Sequence, residues 1–152
     1  MSYMDPRSAL NQYAKVKNST GVEEAGPHRL IQMLMEGALD KINLAKGFME
    51  RKEIAAKGSH ISWAISIIDG LRVSLNREAG GEIAENLDNL YDYMERRLVE
   101  ANLRNDPAIL NEVSGLLREI KGAWDAIPLE VRERHTTVSS EPLTQDRVNI
   151  VG

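Results

Sequence analysis

The chain has 152 residues, no cysteine and a formal net charge of −4. These values exclude disulfides and thiolate metal sites, and they argue against nucleic acid, whose protein partners usually carry a basic stripe. No apolar run approaches the roughly 20 residues that a membrane-spanning helix needs, and residues 1–10 lack the apolar core of a signal peptide. We therefore expect a single-domain cytoplasmic protein that inserts into no membrane.

The first predicted elements are a polar N-terminal arm, residues 1–26, and a helix that begins at Pro27. Proline suits the first turn of a helix because its missing N–H has no helical partner there. Apolar residues then recur every three or four positions to about residue 51, which predicts a stripe on one helix face. The stripe consists of Ile31, Leu34, Ala38, Ile42, Ala45 and Met49.

Two further helices are predicted, over residues 54–76 and from about residue 82. Gly80-Gly81 lies between them and ends any helical run there. The core stripe of the second helix is Ile61, Ile65, Ile68, Leu71 or Arg72, and Leu75. The core stripe of the third helix is Ile83, Leu87, Leu90, Met94, Leu98 and Ala101.

A fourth helix is predicted from Asp106-Pro107, an N-cap followed by a first-turn proline, to Pro128, which stops it. Its stripe is Leu110, Val113, Leu117, Ile120, Trp124 and Ile127. Residues 129–152 are polar and aperiodic, and they predict a disordered tail. Short connections return each helix beside its predecessor, so residues 27–128 predict an all-α antiparallel four-helix bundle with a flexible arm and a tail.

No residue pattern indicates an enzyme. The histidines, His28, His60 and His135, are far apart, and none has the Glu-x-x-His spacing of a di-iron bundle. No serine has an identifiable base beside it, and Gly80-Gly81 lacks the lysine of a phosphate-binding loop. We expect no catalytic residue, no cofactor and no metal.

The informative feature is an excess of apolar residues over the one stripe that each bundle helix needs. Apolar residues that the core stripes do not use fall on other faces of the first three helices. They are Leu30, Met33, Leu44, Phe48, Trp63, Ile67, Val73, Tyr91, Val99 and Leu103. Such residues are either ordinary surface apolar residues or the lining of grooves for an amphipathic helix or extended peptide.

Several blocks closely resemble the flagellar secretion chaperone FliS family. They are PHRLIQML at 27–34, AISIID at 64–69, GGEIAENL at 80–87, LYDYMERRL at 90–98 and ANLRND at 101–106. They occur in the family's order and at its spacing, over about residues 13–127.

The resemblance implies a bundle that binds the C-terminal region of new flagellin, prevents its polymerisation and delivers it to the flagellar type III export gate. It also implies that the arm, through Tyr13, can occupy a groove as a lid. Pattern and resemblance together give the expected partner-binding set. The set is Tyr13, Leu30, Met33, Ile67, Val73, Tyr91, Val99 and Leu103. The alternative function is a regulatory adaptor for an anti-sigma factor or another flagellar assembly protein, and weak homodimerisation is left open.

Overall fold

The computed structural model describes residues 22–128, which form four helices and, within that range, no strand. The helices are α1 (Val22–Glu50), α2 (Ile54–Val73), α3 (Arg77–Arg104) and α4 (Pro107–Asp125). α1 packs against α2 and α4, and α3 packs against the same two helices. The short connections make consecutive helices antiparallel. The predicted all-α four-helix bundle is confirmed, whereas Tyr13 and the predicted tail lie outside the described residues.

Side-chain caps and two glycine breaks set the helix boundaries. The Asp106 carboxylate accepts from the Ala108 N–H at 3.0 Å, which confirms the predicted cap of α4. Asn76 caps α3 in the same way, so α3 begins at Arg77, five residues before the predicted start near residue 82. The helical geometry of α1 and α3 is interrupted at Gly26 (φ 79°) and Gly81 (φ 52°). Glycine suits both positions, because a left-handed φ admits glycine far more readily than other residues.

The core forms one cluster to which all four helices contribute. In α1 the predicted stripe is confirmed from Leu34 to Met49, while Ile31 is only partly buried. In α4, Leu110, Val113 and Leu117 are fully buried, and Ile120 and Trp124 pack against the cluster from its edge.

The predicted α3 stripe is wrong at Ile83, whereas Leu87 and Leu90 are partly buried and pack against the core. Ile83 is 71% exposed, while its neighbour Ala84 is buried, and Tyr91 is buried where the partly covered Leu90 was expected. The buried positions of α3 repeat at seven-residue intervals, as in bundle helices that pack knobs into holes. The prediction followed the larger aliphatic side chains and missed a small alanine and a tyrosine on the inward face.

α2 is buried over a wider arc than one stripe, because it packs between α1 and α3. Ile67 and Ile68 are both buried, although they are adjacent in sequence. Lys57 is buried as well, and its ammonium donates to the Asn102 carbonyl at 3.0 Å and to the Asn105 side-chain oxygen. This contact ties the start of α2 to the end of α3.

Candidate protein-binding surface

The described part of the bundle leaves seven large apolar side chains exposed. They are Leu44, Ile54, Trp63, Val73, Ile83, Val99 and Leu103. Single exposed apolar residues are ordinary on soluble proteins, so only neighbouring ones point to a binding surface.

The structure divides the predicted partner-binding set. Val73, Val99 and Leu103 are exposed as expected, and Leu30 is partly buried against the core. Met33, Ile67 and Tyr91 are buried, so their expected outward orientation is wrong. The physical reason is the same for all three: each bundle helix packs against two neighbours, so more than one stripe of its surface is covered.

Val99 and Leu103 form the strongest candidate, which we call the α3 outer face. They are 57% and 81% exposed and lie four residues apart, so they are neighbours on one side of the helix. The helix beneath them is well anchored, because Lys57 binds the carbonyl of Asn102 and the side chain of Asn105. The α3 outer face therefore presents apolar area on a fixed backbone, which limits the entropy cost of binding.

Val73 and Ile83 lie at the opposite end of the α2–α3 pair. Val73 follows Arg72, whose Nε donates to Asp88 Oδ1 at 2.9 Å, and that contact places the end of α2 beside the first half of α3. Val99 is eleven residues beyond Asp88, or about 16 Å along the axis at 1.5 Å per residue. The predicted set therefore does not converge on one patch. Ile54 and Ile83, which the sequence patterns did not assign to a surface, are also exposed, with Ile83 at the end of α3 that lies away from the α3 outer face.

A second apolar surface runs between α1 and α2, and we call it the aromatic strip. The Phe48 and His60 rings lie 4.9 Å apart between centroids, and those of His60 and Trp63 lie 6.1 Å apart. The Lys41 ammonium stands 4.0 Å from the Trp63 ring and the Arg51 guanidinium 5.0 Å from that of Phe48. These cations cover part of the aromatic faces, so part of this surface is already occupied within the chain.

Between α2 and α3, charged groups meet around Arg72. Its guanidinium lies within ion-pair distance of four carboxylates, those of Asp69, Asp88, Asp92 and Glu95. Hydrogen bonds from Arg77 and Arg72 hold the pKa of Asp88 at about 2. Burial, together with the neighbouring Asp69, raises the pKa of Glu95 to about 8. Burial alone raises the pKa of Tyr91 to about 12, so this phenol is neutral in the core.

A metal site and a membrane-spanning helix each have structural requirements that the described part of the chain does not meet. Residues 22–128 contain no group of three or more histidines or carboxylates placed to hold a metal ion. None of the four helices is both long enough and apolar enough to cross a membrane. What the geometry supplies is exposed apolar surface on a firmly packed bundle, which suits the binding of another polypeptide.

Comparison with known proteins gives a consistent result. Residues 9–131 match the family model described as flagellar protein FliS. Flagellar secretion chaperone FliSB of Pseudomonas aeruginosa is 54% identical over 119 residues, which cover 78% of this chain and 94% of that protein. Flagellar secretion chaperone FliS of Salmonella typhimurium is 50% identical over 121 residues, covering 79% and 90%. The counterpart from Bacillus subtilis is 35% identical over 136 residues, covering 89% and 96%. A family-model match over residues 9–131, with relatives that are 35%, 50% and 54% identical over most of their length, places the chain in the FliS family of flagellar proteins.

Proposed function

We propose that the protein is a cytoplasmic export chaperone for flagellin. In this role it binds the C-terminal region of newly made flagellin, prevents premature polymerisation and hands the chain to the flagellar type III secretion apparatus. The observation that supports the proposal most directly is the family match over residues 9–131, because the relatives that share it are named flagellar secretion chaperones.

The bundle supplies a physical mechanism for holding flagellin. Amphipathic helices assemble through their apolar faces, and an apolar surface that covers such a face removes it from assembly. The α3 outer face offers two aliphatic side chains at adjacent turns, a spacing that fits the i, i+4 repeat of a partner helix. No chemical step is needed, because binding one state of the client shifts its population by mass action.

The test is a charge placed on the α3 outer face. Leu103 is 81% exposed, so in the free protein the new carboxylate of Leu103→Glu stays in water and costs little stability. Against an apolar partner helix the same carboxylate loses its hydration. We expect the affinity for a flagellin C-terminal peptide, measured by calorimetry, to fall at least tenfold, which requires a loss of about 1.4 kcal/mol in binding free energy.

The matched control is Ile83→Glu, because Ile83 is 71% exposed on the same helix but lies at its other end. It introduces the same charge on the same helix and should bind the peptide within a factor of two or three of the parent protein. Normal binding by both variants would move the site to the aromatic strip. Absence of binding by the parent protein would contradict the proposed function itself. In that case, co-purification of a regulator without flagellin would support the adaptor alternative.

A further inference from the structure

Two acidic side chains meet at the interface between α2 and α3. Asp69 projects from α2 and Glu95 from α3, and their carboxyl groups lie beside the same nitrogen, Arg72 Nη1. The Glu95 side chain is only 16% exposed, and its Oε2 is shielded from solvent with no hydrogen-bond donor in reach. An ionised carboxylate can only accept hydrogen bonds, so two ionised carboxylates cannot satisfy one another.

The charges around the pair do not resolve this conflict. Arg72 is the cation that faces both groups, with Nη1 3.7 Å from Asp69 Oδ1 and 3.5 Å from Glu95 Oε1. The same guanidinium also lies 2.9 Å from Asp88 and 3.4 Å from Asp92, both on α3. One arginine is therefore divided among four carboxylates.

The second arginine of the cluster does not reach the pair. The described contacts of Arg77 go to Asp88, at 3.0 Å, and not to Asp69 or Glu95. Asp92 is also paired with Arg96, whose Nε lies 3.0 Å from Asp92 Oδ2. Four carboxylates against three guanidinium groups leave one negative charge in excess if every acid is ionised, and a single proton placed between Asp69 and Glu95 removes it.

The same proton satisfies the unpaired oxygen. A protonated Glu95 becomes a donor, and its hydroxyl can hydrogen-bond the Asp69 carboxylate while Asp69 keeps its contact with Arg72. Adjacent carboxylates in a partly buried site commonly share a proton in this way. We propose that Asp69 and Glu95 share one proton across the α2–α3 interface at neutral pH, and that release of this proton in mildly alkaline solution weakens the packing of α2 on α3.

The effect on stability follows from linkage. Burial, then Asp69, raises the pKa of Glu95 to about 8 from 4.5, so the folded protein keeps a proton that the unfolded chain releases above pH 4.5. Stability from this proton is complete below pH 4.5, decreases as the pH rises, and is lost once the pH has passed through about 8. The pair thus makes the bundle sensitive to pH between these limits.

The test compares thermal melting of the parent protein and Glu95→Gln between pH 5 and pH 9. Glutamine keeps the shape of protonated glutamate and supplies a permanent N–H donor to Asp69. We expect the parent Tm to decrease relative to that of Glu95→Gln up to about pH 8 and the difference then to level off. The matched control is Glu100→Gln, which removes a carboxylate of the same helix that pairs with Arg97 and Arg104. This control should follow the pH profile of the parent.

A profile of Glu95→Gln that parallels the parent, with a lower Tm at neutral pH, would overturn the proposal, because it would identify Glu95 as an ionised partner of Arg72. A second measurement does not depend on that variant. Carboxyl-carbon NMR of the parent should show a Glu95 titration midpoint near pH 8, and Asp69→Asn should lower it, since the asparagine amide can donate to the ionised form. A parent midpoint near 4.5, or a midpoint that Asp69→Asn leaves unchanged, contradicts proton sharing.

Discussion

Replacing Trp124 by alanine removes two of the three contacts that hold the end of α4 against the start of α1, and it leaves the hydrogen bond to the Trp124 backbone carbonyl. The indole stacks on the His28 ring with 4.8 Å between centroids and 9° between planes. Trp124 Nε1 donates to the His28 carbonyl at 3.0 Å, and His28 Nε2 forms a hydrogen bond with the Trp124 carbonyl at 2.8 Å. Residues 96 positions apart are therefore joined twice by hydrogen bonds and once by a stack.

The cost can be estimated from these contacts. Truncation of a fully buried tryptophan costs about 3–5 kcal/mol, and Trp124 lies at the edge of the core, so the lower end, about 3 kcal/mol, applies. Of this, about 1 kcal/mol comes from the indole hydrogen bond, and about 1 kcal/mol from the ring stack. Trp124→Phe keeps an aromatic ring and loses the donor, so it should cost about 1 kcal/mol.

Urea unfolding followed by circular dichroism measures both variants, with the free energy of unfolding extrapolated to water and the slope m compared with that of the parent. Circular dichroism is preferable to fluorescence, because the parent protein has Trp63 and Trp124 whereas the variants keep only Trp63, so their fluorescence signals differ. An alanine variant as stable as the parent would refute the structural role of Trp124. Equal losses for alanine and phenylalanine would instead assign the whole effect to the hydrogen bond. Normal stability with lost binding of the flagellin peptide would place Trp124 in the binding surface.

Two further predictions concern the backbone and acid stability. Gly81→Ala should lower the free energy of unfolding by about 1 kcal/mol or more, because φ is +52° there. Gly115→Ala should raise it by about 0.5–1 kcal/mol, because Gly115 lies in α4 with open space around its Cβ position. Thermal melting compares the two variants, and a gain in stability for Gly81→Ala would contradict the positive φ. Hydrogen bonds from Arg77 and Arg72 lower the pKa of Asp88 from 3.8 to about 2, so its contribution is present above pH 3.8 and is lost as the pH falls through about 2. Acid titration of Asp88→Asn should show a weaker pH dependence in this window, and an unchanged acid transition would argue against the ion pairs.

Much of the fold could be predicted from the sequence because its signals are local. The Asp106-Pro107 pair marks the start of α4, and the structure shows both the cap and the first-turn proline. The α1 stripe from Leu34 to Met49 is set by the helical period of a long, strongly patterned segment. The end of α2 was less accurate, because residues 74–76 carry apolar and polar residues that continue the pattern after the helix has ended at Val73.

The candidate surface depended on tertiary packing in a way that periodicity cannot express. Ile67 and Tyr91 lie off the predicted stripes, yet both are buried, because each helix is covered by two neighbours and not by one. Ile83 lies on a predicted stripe and is exposed, because the smaller Ala84 occupies the inward position.

The sequence by itself determined the helix count, the Asp106 cap of α4, the absence of cysteine chemistry and, through its sequence blocks, the family. Only the tertiary structure decided which apolar residues remain exposed, and it separated Val73 from Val99 and Leu103 along the bundle. It also brought Asp69 and Glu95, 26 residues apart in the chain, against one another. The physical reason is that a helical period fixes the directions of side chains around one axis, whereas burial and charge pairing depend on how four axes pack together.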